Sequence, residues 1–197
     1  RDFAAQLGVS RASVREAGLG LGVQLLPGLP AMAPDPEGPF LRDVALALEQ
    51  APAVMRLYPC VVLPGTGLAR LWAAGEYVPW SLAAAADLLG RALLACWRAG
   101  VPVIRQGLAP QAGLAENILA GPWHPALGQM ARSRALLAHL AGVLADLDRR
   151  PARLLVFRSD LSDILGHGRE MVPAWTRLGL DESRIRIWDH PGLCFEY

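Results

Sequence analysis

The sequence contains no lysine. All 19 of its basic residues are arginine, and with 18 acidic residues the formal net charge is +1. We attribute the missing lysine to a GC-rich genome that favours arginine codons. A chain so close to neutral has no overall electrostatic attraction to nucleic acid. Long apolar runs are also missing, because Arg91 and Arg98 interrupt the best candidate stretch, whereas a membrane helix needs roughly 20 apolar residues. We therefore predict no membrane association.

Cysteine is scarce as well: the three residues Cys60, Cys96 and Cys194 lie far apart, and no CxxC pair occurs. Neither a zinc knuckle nor a disulfide framework is predicted. We expect Cys96, within a helical segment, to be a small buried apolar residue. The spacing of His167, Asp189 and His190 matches no known ligand pattern. The chain is thus predicted to form no metal site of its own.

The chain begins at Arg1, with neither an initiator methionine nor a signal peptide, which favours a cytoplasmic protein or an excerpt of one. Apolar residues are abundant at 53%, so a buried core is expected and disorder is not. The 20 glycines and 16 prolines indicate many short turns between buried elements.

Apolar periodicity predicts strands that alternate with helices. Three strands are expected at residues 21–26, 53–63 and 101–106. A first helix should end near Ala17. A second helix is expected to carry Leu41, Val44, Ala45 and Leu48 on one face. Further helices are expected at 67–74 after Thr66, at 82–99 after Ser81, and at 125–147. This order predicts a βαβαβ arrangement with a parallel sheet. Three parallel strands do not close a barrel, so we expect the chain to be part of a larger protein.

The pattern changes after residues 149–151, where a strand at 153–158, short helices at 161–165 and 171–178, and a last strand at 185–188 are predicted. We interpret these as a small appended α/β unit. Two domains are therefore predicted, residues 1–148 and residues 149–197.

Residues 7–17, LGVSRASVREA, are typical of the recognition helix of a winged-helix DNA-binding regulator, in which Ser10, Arg11 and Arg15 would contact DNA. The next residues, GLGLGVQLLPGLP, predict a buried strand and a Pro-Gly loop, whereas a winged helix would continue with a third helix and a hairpin. The DNA-binding hypothesis therefore stays a minor alternative to an ordinary amphipathic helix.

Two segments, GVQLLPGLP at 22–30 and LYPCVVLPGTGLARLW at 57–72, place loops at the carboxyl ends of predicted strands, where ligands bind in such folds. Arg56 and Tyr58 alternate with apolar neighbours and should face one side of the sheet. Arg105 and Gln106 end the third strand at the same rim. They are interpreted either as ligand contacts or as members of an ordinary salt bridge at the strand end. His124 is expected to cap a helix more than to line a cavity.

In this order and spacing, the two segments resemble radical S-adenosylmethionine (SAM) proteins of the elongator catalytic-subunit type, in the bacterial short form without an acetyltransferase domain. They are more distantly similar to oxygen-independent coproporphyrinogen III oxidases. The matching positions are Gln24, Pro27, Gly28, Leu29, Pro30, Arg56, Tyr58, Pro59, Gly65, Thr66, Leu68, Ala69, Leu71, Gly75 and Tyr77. The segments VIRQGLAP, AGPWHPALGQM and SDLSDILGHGREM continue the resemblance, whereas AMAPDPEGPF after Pro30 departs from it.

The resemblance implies an α/β fold, the C-terminal half of a radical SAM partial (β/α) barrel, with a small appended α/β C-terminal unit. It implies a [4Fe–4S] cluster on three cysteines of a CxxxCxxC loop, and SAM that is cleaved reductively to a 5′-deoxyadenosyl radical for hydrogen abstraction. This chain lacks that loop, and Cys60 alone does not hold a cluster, so we expect the chain by itself to be inactive. The implied cofactor-binding residues are Gln24, Pro27, Gly28, Tyr58, Arg105 and Gln106.

The implied partners are the missing N-terminal half of the barrel and a small-molecule or tRNA substrate, with the wobble uridine as one substrate class. A local basic face for RNA would use Arg132, Arg134, Arg149, Arg150 and Arg153, although solvation of a helix end explains these arginines nearly as well. A truncated, non-catalytic binding piece remains the main alternative to an enzyme.

Overall fold

The computed structural model describes residues 3–30, 37–108 and 113–197. The loop that follows Pro30, where the sequence departs from the family pattern, lies mostly outside the described residues. The fold is mixed α/β, as predicted, and divides into two compact units, Arg1–Gly128 and Gln129–Tyr197. Among the described residues, none of the helices combines the length and the apolar character that a membrane span requires.

The first unit is built on a parallel sheet in the order β1-β2-β3. Its strands are β1 (Gly22–Leu25), β2 (Val54–Leu57) and β3 (Val103–Gln106). Its helices are α1 (Phe3–Glu16), α2 (Glu37–Glu49), α3 (Gly67–Ala73), α4 (Leu82–Arg98) and the single turn α5 (Leu114–Asn117). The predicted βαβαβ order is confirmed. Strand β2 ends earlier than predicted because Pro59 has no amide hydrogen to extend the ladder.

The helix boundaries follow local chemistry that the sequence shows directly. The Thr66 hydroxyl accepts a hydrogen bond from the amide of Ala69 at 3.1 Å, and the Ser81 hydroxyl accepts one from Ala84 at 3.2 Å. Gly100 ends α4 in a left-handed conformation (φ 67°). Both predicted N-caps are confirmed.

One face of the first sheet is packed against helices α2 and α4. Because side chains alternate between the two faces of each strand, only those on the other face are available for function. Met55 and Leu57 are fully buried, each worth about 1.5–3 kcal/mol in transfer free energy. Helix α2 buries Phe40, Val44 and Ala47. The prediction that Ala45 belongs to that buried face is wrong, since Ala45 is exposed.

The second unit has a mixed sheet in the order β5-β4-β6. Its strands are β4 (Arg153–Phe157), β5 (Ile185–Trp188) and β6 (Leu193–Glu196), with β5 parallel and β6 antiparallel to β4. Its helices are most of α6 (Leu127–Ala145), α7 (Leu161–Leu165) and α8 (Val172–Arg177), with 3₁₀ turns at His167–Arg169 and Glu182–Arg184. Strand β6 was not predicted, because the strand at 185–188 was taken as the last one.

The core of the second unit surrounds Trp175, which is completely buried together with Val156 and Ile164. Leu140 of α6 belongs to the same core, so the compact boundary falls inside α6 and not after it. The predicted division at 148/149 concerns family domains and stays a prediction.

Candidate functional site

The uncovered face of the first sheet carries a row of polar side chains. Gln24 of β1 is the register partner of Arg56 of β2, which in turn is the partner of Arg105 of β3. With Tyr58 and Ile104 these residues line a depression of about 380 Å³. Because Gln24 and Arg56 alternate with buried residues of their strands, the row points away from α2 and α4.

The depression is equipped for an anionic, hydrogen-bonding ligand. Arg56 and Arg105 supply guanidinium groups that match carboxylate or phosphate, while Gln24 and Tyr58 can each donate and accept. Neighbouring strands lie about 4.8 Å apart, so two cations directly opposite each other are unfavourable unless an anion lies between them. The paired guanidinium groups therefore favour an anion on this face.

The structure brings together some of the predicted site residues and separates others. Gln24, Tyr58 and Arg105 share the depression. Gln106 is instead the register partner of Leu57, whose side chain is buried on the helix-covered face. Pro27 and Gly28 are buried in the loop after β1.

Arg56 was not among the predicted cofactor-binding residues, and Ile104 was not predicted to belong to the site. The strand alternation that identified Tyr58 also identifies Arg56. Ile104 is 52% exposed, next to a register shift between Met55 and Arg56. No sequence signal marks that shift, so Ile104 could not have been found from the chain alone.

The Pro-Gly loop after β1 is fixed by two hydrogen bonds. The Tyr77 hydroxyl donates to the carbonyl of Gly28 at 2.7 Å, and the amide of Cys60 donates to the carbonyl of Pro27 at 2.9 Å. Gly28 has φ 93°, a conformation that favours glycine. Burial, and secondarily the charge of a Cys60 thiolate, raise the pKa of Tyr77 to about 12, so its hydroxyl remains a donor at neutral pH.

A second close contact joins the AGPW segment to the loop after β2. Val62 and Ala120 form an antiparallel bridge, with the amide of Val62 donating to the carbonyl of Ala120 at 2.8 Å. A Cβ added at Gly121 would lie 3.0 Å from the backbone Cα of Val61, so the approach requires glycine. His124 Nδ1 accepts from the amide of Ala126 at 3.0 Å, just before α6, as its predicted capping role requires.

The cysteines of this chain do not fit an iron–sulfur cluster. Cys96 is buried and its thiol donates to the Met55 sulfur at 3.7 Å; Cys60 is half-buried, and Cys194 belongs to the second unit. Burial raises the pKa of Cys60 and raises that of Cys96 to about 11, which disfavours the thiolate that a metal needs. Within the described ranges, no three His, Cys, Asp or Glu side chains are grouped to hold a metal ion.

The predicted basic face is mostly neutralised in the structure. Three of its arginines form ion pairs with carboxylates: Arg132 with Asp163 at 2.7 Å, Arg134 with Glu170 at 3.0 Å, and Arg153 with Glu196 at 2.8 Å. Arg149 lies over the ring of Tyr197, and Arg150 donates to the carbonyl of Leu178. The pairing of three of the five arginines favours the alternative, an ordinary solvated helix end, and RNA binding by this face stays a prediction.

Residues 52–137, which include β2, β3 and α4 with the neighbouring loops, match the family model of the radical SAM C-terminal domain. Over these residues the chain is similar to a radical SAM C-terminal domain. The matched segment contains Arg56, Tyr58 and Arg105, three of the polar residues of the depression.

Two archaeal relatives extend this comparison. The tRNA uridine(34) acetyltransferase of Methanocaldococcus jannaschii is 27% identical over 79 residues, which is 40% of this chain and 15% of the relative. The protein of the same name from Methanocaldococcus infernus is 27% identical over 67 residues, 34% of this chain and 12% of the relative. The resemblance to elongator-type radical SAM proteins is confirmed, although each match spans a small part of a much longer protein.

Proposed function

We propose that this chain is the C-terminal part of a radical SAM iron–sulfur enzyme. In this proposal residues 1–148 form half of a partial (β/α) barrel, and a segment outside this chain carries the CxxxCxxC loop and the cluster. The observation that carries the proposal is the polar row Gln24–Arg56–Arg105 on the uncovered face of a parallel sheet. In a barrel, the face opposite the outer helices is the interior, and its carboxyl-terminal rim is where ligands bind.

The residues of the row have distinct proposed roles. Arg105 and Arg56 bind the carboxylate of SAM or an anionic group of the substrate, since both guanidinium groups share one face. Gln24 and Tyr58 orient the ligand through hydrogen bonds to hydroxyl groups. Pro27 and Gly28 shape the rim, where Tyr77 fixes their loop. SAM, when bound, would supply a 5′-deoxyadenosyl radical for hydrogen abstraction, with the electron for its cleavage coming from the cluster that the rest of the protein would hold.

A tRNA uridine is the proposed substrate class, and the names of the two archaeal relatives support it. A cytoplasmic location belongs to the same proposal. The competing hypothesis, a non-catalytic binding piece, differs in one observable respect, because a gene product without the CxxxCxxC loop has no means to hold the cluster.

Substitution of Arg105 by alanine in the full-length gene product is expected to weaken SAM binding about 10- to 100-fold. A charge-assisted hydrogen bond contributes about 1.5–3 kcal/mol, and each 1.4 kcal/mol is a factor of ten in affinity. The measurement is the KM for SAM in the formation of 5′-deoxyadenosine, after anaerobic reconstitution and reduction.

Arg98→Ala is the matched control, because Arg98 is exposed in the last turn of α4 and outside the depression. The control should cleave SAM like the wild type. Equal KM values for the two variants would refute the assignment of Arg105 to the carboxylate of SAM. A full-length product without the cysteine loop, or one that stays colourless after reconstitution, would refute the enzyme proposal itself.

A further inference from the structure

The loop between α7 and α8 has an unusual backbone. Its sequence is Gly-His-Gly-Arg at residues 166–169, and it connects two short helices that lie between β4 and β5. Gly166, Gly168 and Arg169 all have positive φ, at 79°, 58° and 65°. A left-handed conformation is unfavourable for arginine, and such strain is found where a loop is shaped to hold a ligand.

The two glycines of this loop have different surroundings. A Cβ at Gly166 would lie 2.8 Å from the Met171 side chain, so this glycine is required for packing. At Gly168 nothing lies within 4 Å of an added Cβ. The backbone at Gly168 is therefore open to close approach by another molecule.

A groove of about 450 Å³ runs beside this loop. Its walls include α7, the end of the loop, and β5: Leu161, Leu165, Arg169, Glu182, Arg186 and Ile187. Ile187 is 42% exposed although its register partner Val156 is completely buried. The groove thus combines an apolar floor with arginines at its edge.

Strand β5 also offers hydrogen-bonding groups along this groove. In the described sheet it pairs with β4 alone, so its outer edge has no partner strand. Edge backbone N–H and C=O groups can bind the edges of unstacked bases as they bind another strand. An apolar floor and an open strand edge fit bases that are not already paired.

We propose that this groove binds single-stranded RNA, with residues 166–169 clasping the sugar–phosphate backbone while bases lie on Leu161, Leu165 and Ile187. A Gly-x-x-Gly loop that clamps about four nucleotides is the device of KH modules. Here the fourth position is Arg169, which adopts the left-handed backbone of a glycine and adds a cation. The inference deepens the tRNA part of the proposed function and rests on it for its biological meaning.

The carboxylates near the loop are arranged to leave it accessible to phosphate. Asp163 and Glu170, on either side of the loop, are each held by an arginine of α6. Glu182 is paired with Arg169 across the groove. An exposed ion pair contributes little, so a phosphate can replace Glu182 as the partner of Arg169. Arg186 adds a second cation to the lining.

The test is fluorescence anisotropy of a labelled eight-nucleotide, mixed-sequence RNA with the 197-residue chain. We expect saturable binding that weakens when salt rises from about 50 to 200 mM. Gly168→Asp should weaken it at least about tenfold, because a carboxylate would face the phosphates. Aspartate tolerates the left-handed backbone, and the site has open space, so the variant should fold.

Gly142→Asp is the matched control, since Gly142 is exposed on α6 with nothing within 4 Å of an added Cβ. It should bind RNA like the wild type. Ile187→Ala tests the floor and should weaken binding several-fold through lost base contacts. Single-stranded DNA of the same sequence should bind more weakly than RNA, and duplex RNA should not compete.

Absence of wild-type binding, equal binding by Gly168→Asp and Gly142→Asp, or equal competition by duplex RNA would each overturn the proposal. Preferential binding of single-stranded DNA would overturn the choice of RNA. None of these measurements uses SAM or the cluster. Failure of the groove is therefore distinguishable from failure of the proposed function, which is tested by the KM for SAM and by the cluster, and not by oligonucleotide binding.

Discussion

Substitution of Trp175 by alanine is expected to unfold the second unit of the chain at room temperature. Trp175 is completely buried, and its indole N–H donates to the carbonyl of Ile164 at 2.6 Å. Removal of a buried tryptophan side chain costs about 3–5 kcal/mol, and a buried carbonyl left without its donor costs about 1–3 kcal/mol more. Whole domains have unfolding free energies of about 5–15 kcal/mol, and small units lie at the low end.

The measurement is urea denaturation followed by far-ultraviolet circular dichroism. Trp72→Ala is the matched control, because Trp72 is 38% exposed on α3 and the same atoms are removed. The control should shift the unfolding free energy by about 1 kcal/mol or less. Similar midpoints for Trp175→Ala and Trp72→Ala would contradict the packing role of Trp175.

Trp175→Phe separates the two contributions of the tryptophan. It retains a ring in the core but loses the N–H donor, so we expect an intermediate loss of stability. Because the bond joins α8 to the carbonyl of Ile164 in α7, it also fixes the two helices that flank residues 166–169. Weaker RNA binding by Trp175→Phe, at a temperature where it is folded, would show that this bond helps to position the loop.

The parts of the fold that the sequence predicted correctly depend on nearby residues. A half-buried strand needs apolar residues at alternate positions, such as Val23 and Leu25 of β1. A capped helix start needs a hydroxyl that reaches the third amide after it. Thr66 and Ser81 make those bonds. Such interactions join residues that are only a few positions apart, so they can be predicted without the tertiary structure.

The predictions that failed depend on distant residues. Strand β6 exists because it pairs with β4, and Leu193 and Phe195 pack against the core of the second unit. Three arginines of the expected basic face are paired with Asp163, Glu170 and Glu196, which are 31 to 43 positions away from them. Neither the pairing nor the carboxylates could be placed from the arginine spacing.

In the candidate site, too, the correct predictions depend on nearby residues and the missed ones on distant residues. Alternation along β2 placed Tyr58 on the correct face, and Arg105 joins it in the depression. The separation of Arg105 from Gln106, and the exposure of Ile104, depend on the register of β3 against β2. Periodicity predicts the faces of a strand but not its register, which is set by side chains packed from both strands and from α4.

Alkaline conditions are expected to destabilise the first unit through Cys96. This thiol is completely buried, and burial raises its pKa from 9.0 to about 11, with a backbone hydrogen bond opposing part of the rise. The unfolded chain ionises first, so the stabilisation is fully present below about pH 9 and is lost as the pH rises through about 11. A difference of two pKa units corresponds to about 3 kcal/mol, or roughly a hundredfold change in the unfolding equilibrium.

The free energy of unfolding, measured in urea between about pH 8 and pH 10.5, should fall in the wild type and fall less steeply in Cys96→Ala, where Cys60, whose pKa burial also raises, leaves a smaller loss of the same sign. The alanine variant loses some packing against Met55 at every pH, so the slope, and not the absolute stability, is the quantity compared. Cys194→Ala removes an exposed thiol from the second unit and should keep the wild-type slope. The upper limit matters because Tyr77, with its pKa near 12, adds a loss of the same sign at higher pH. Parallel slopes for the wild type and Cys96→Ala would show that the thiol is hydrated in solution and that α4 does not seal it against β2.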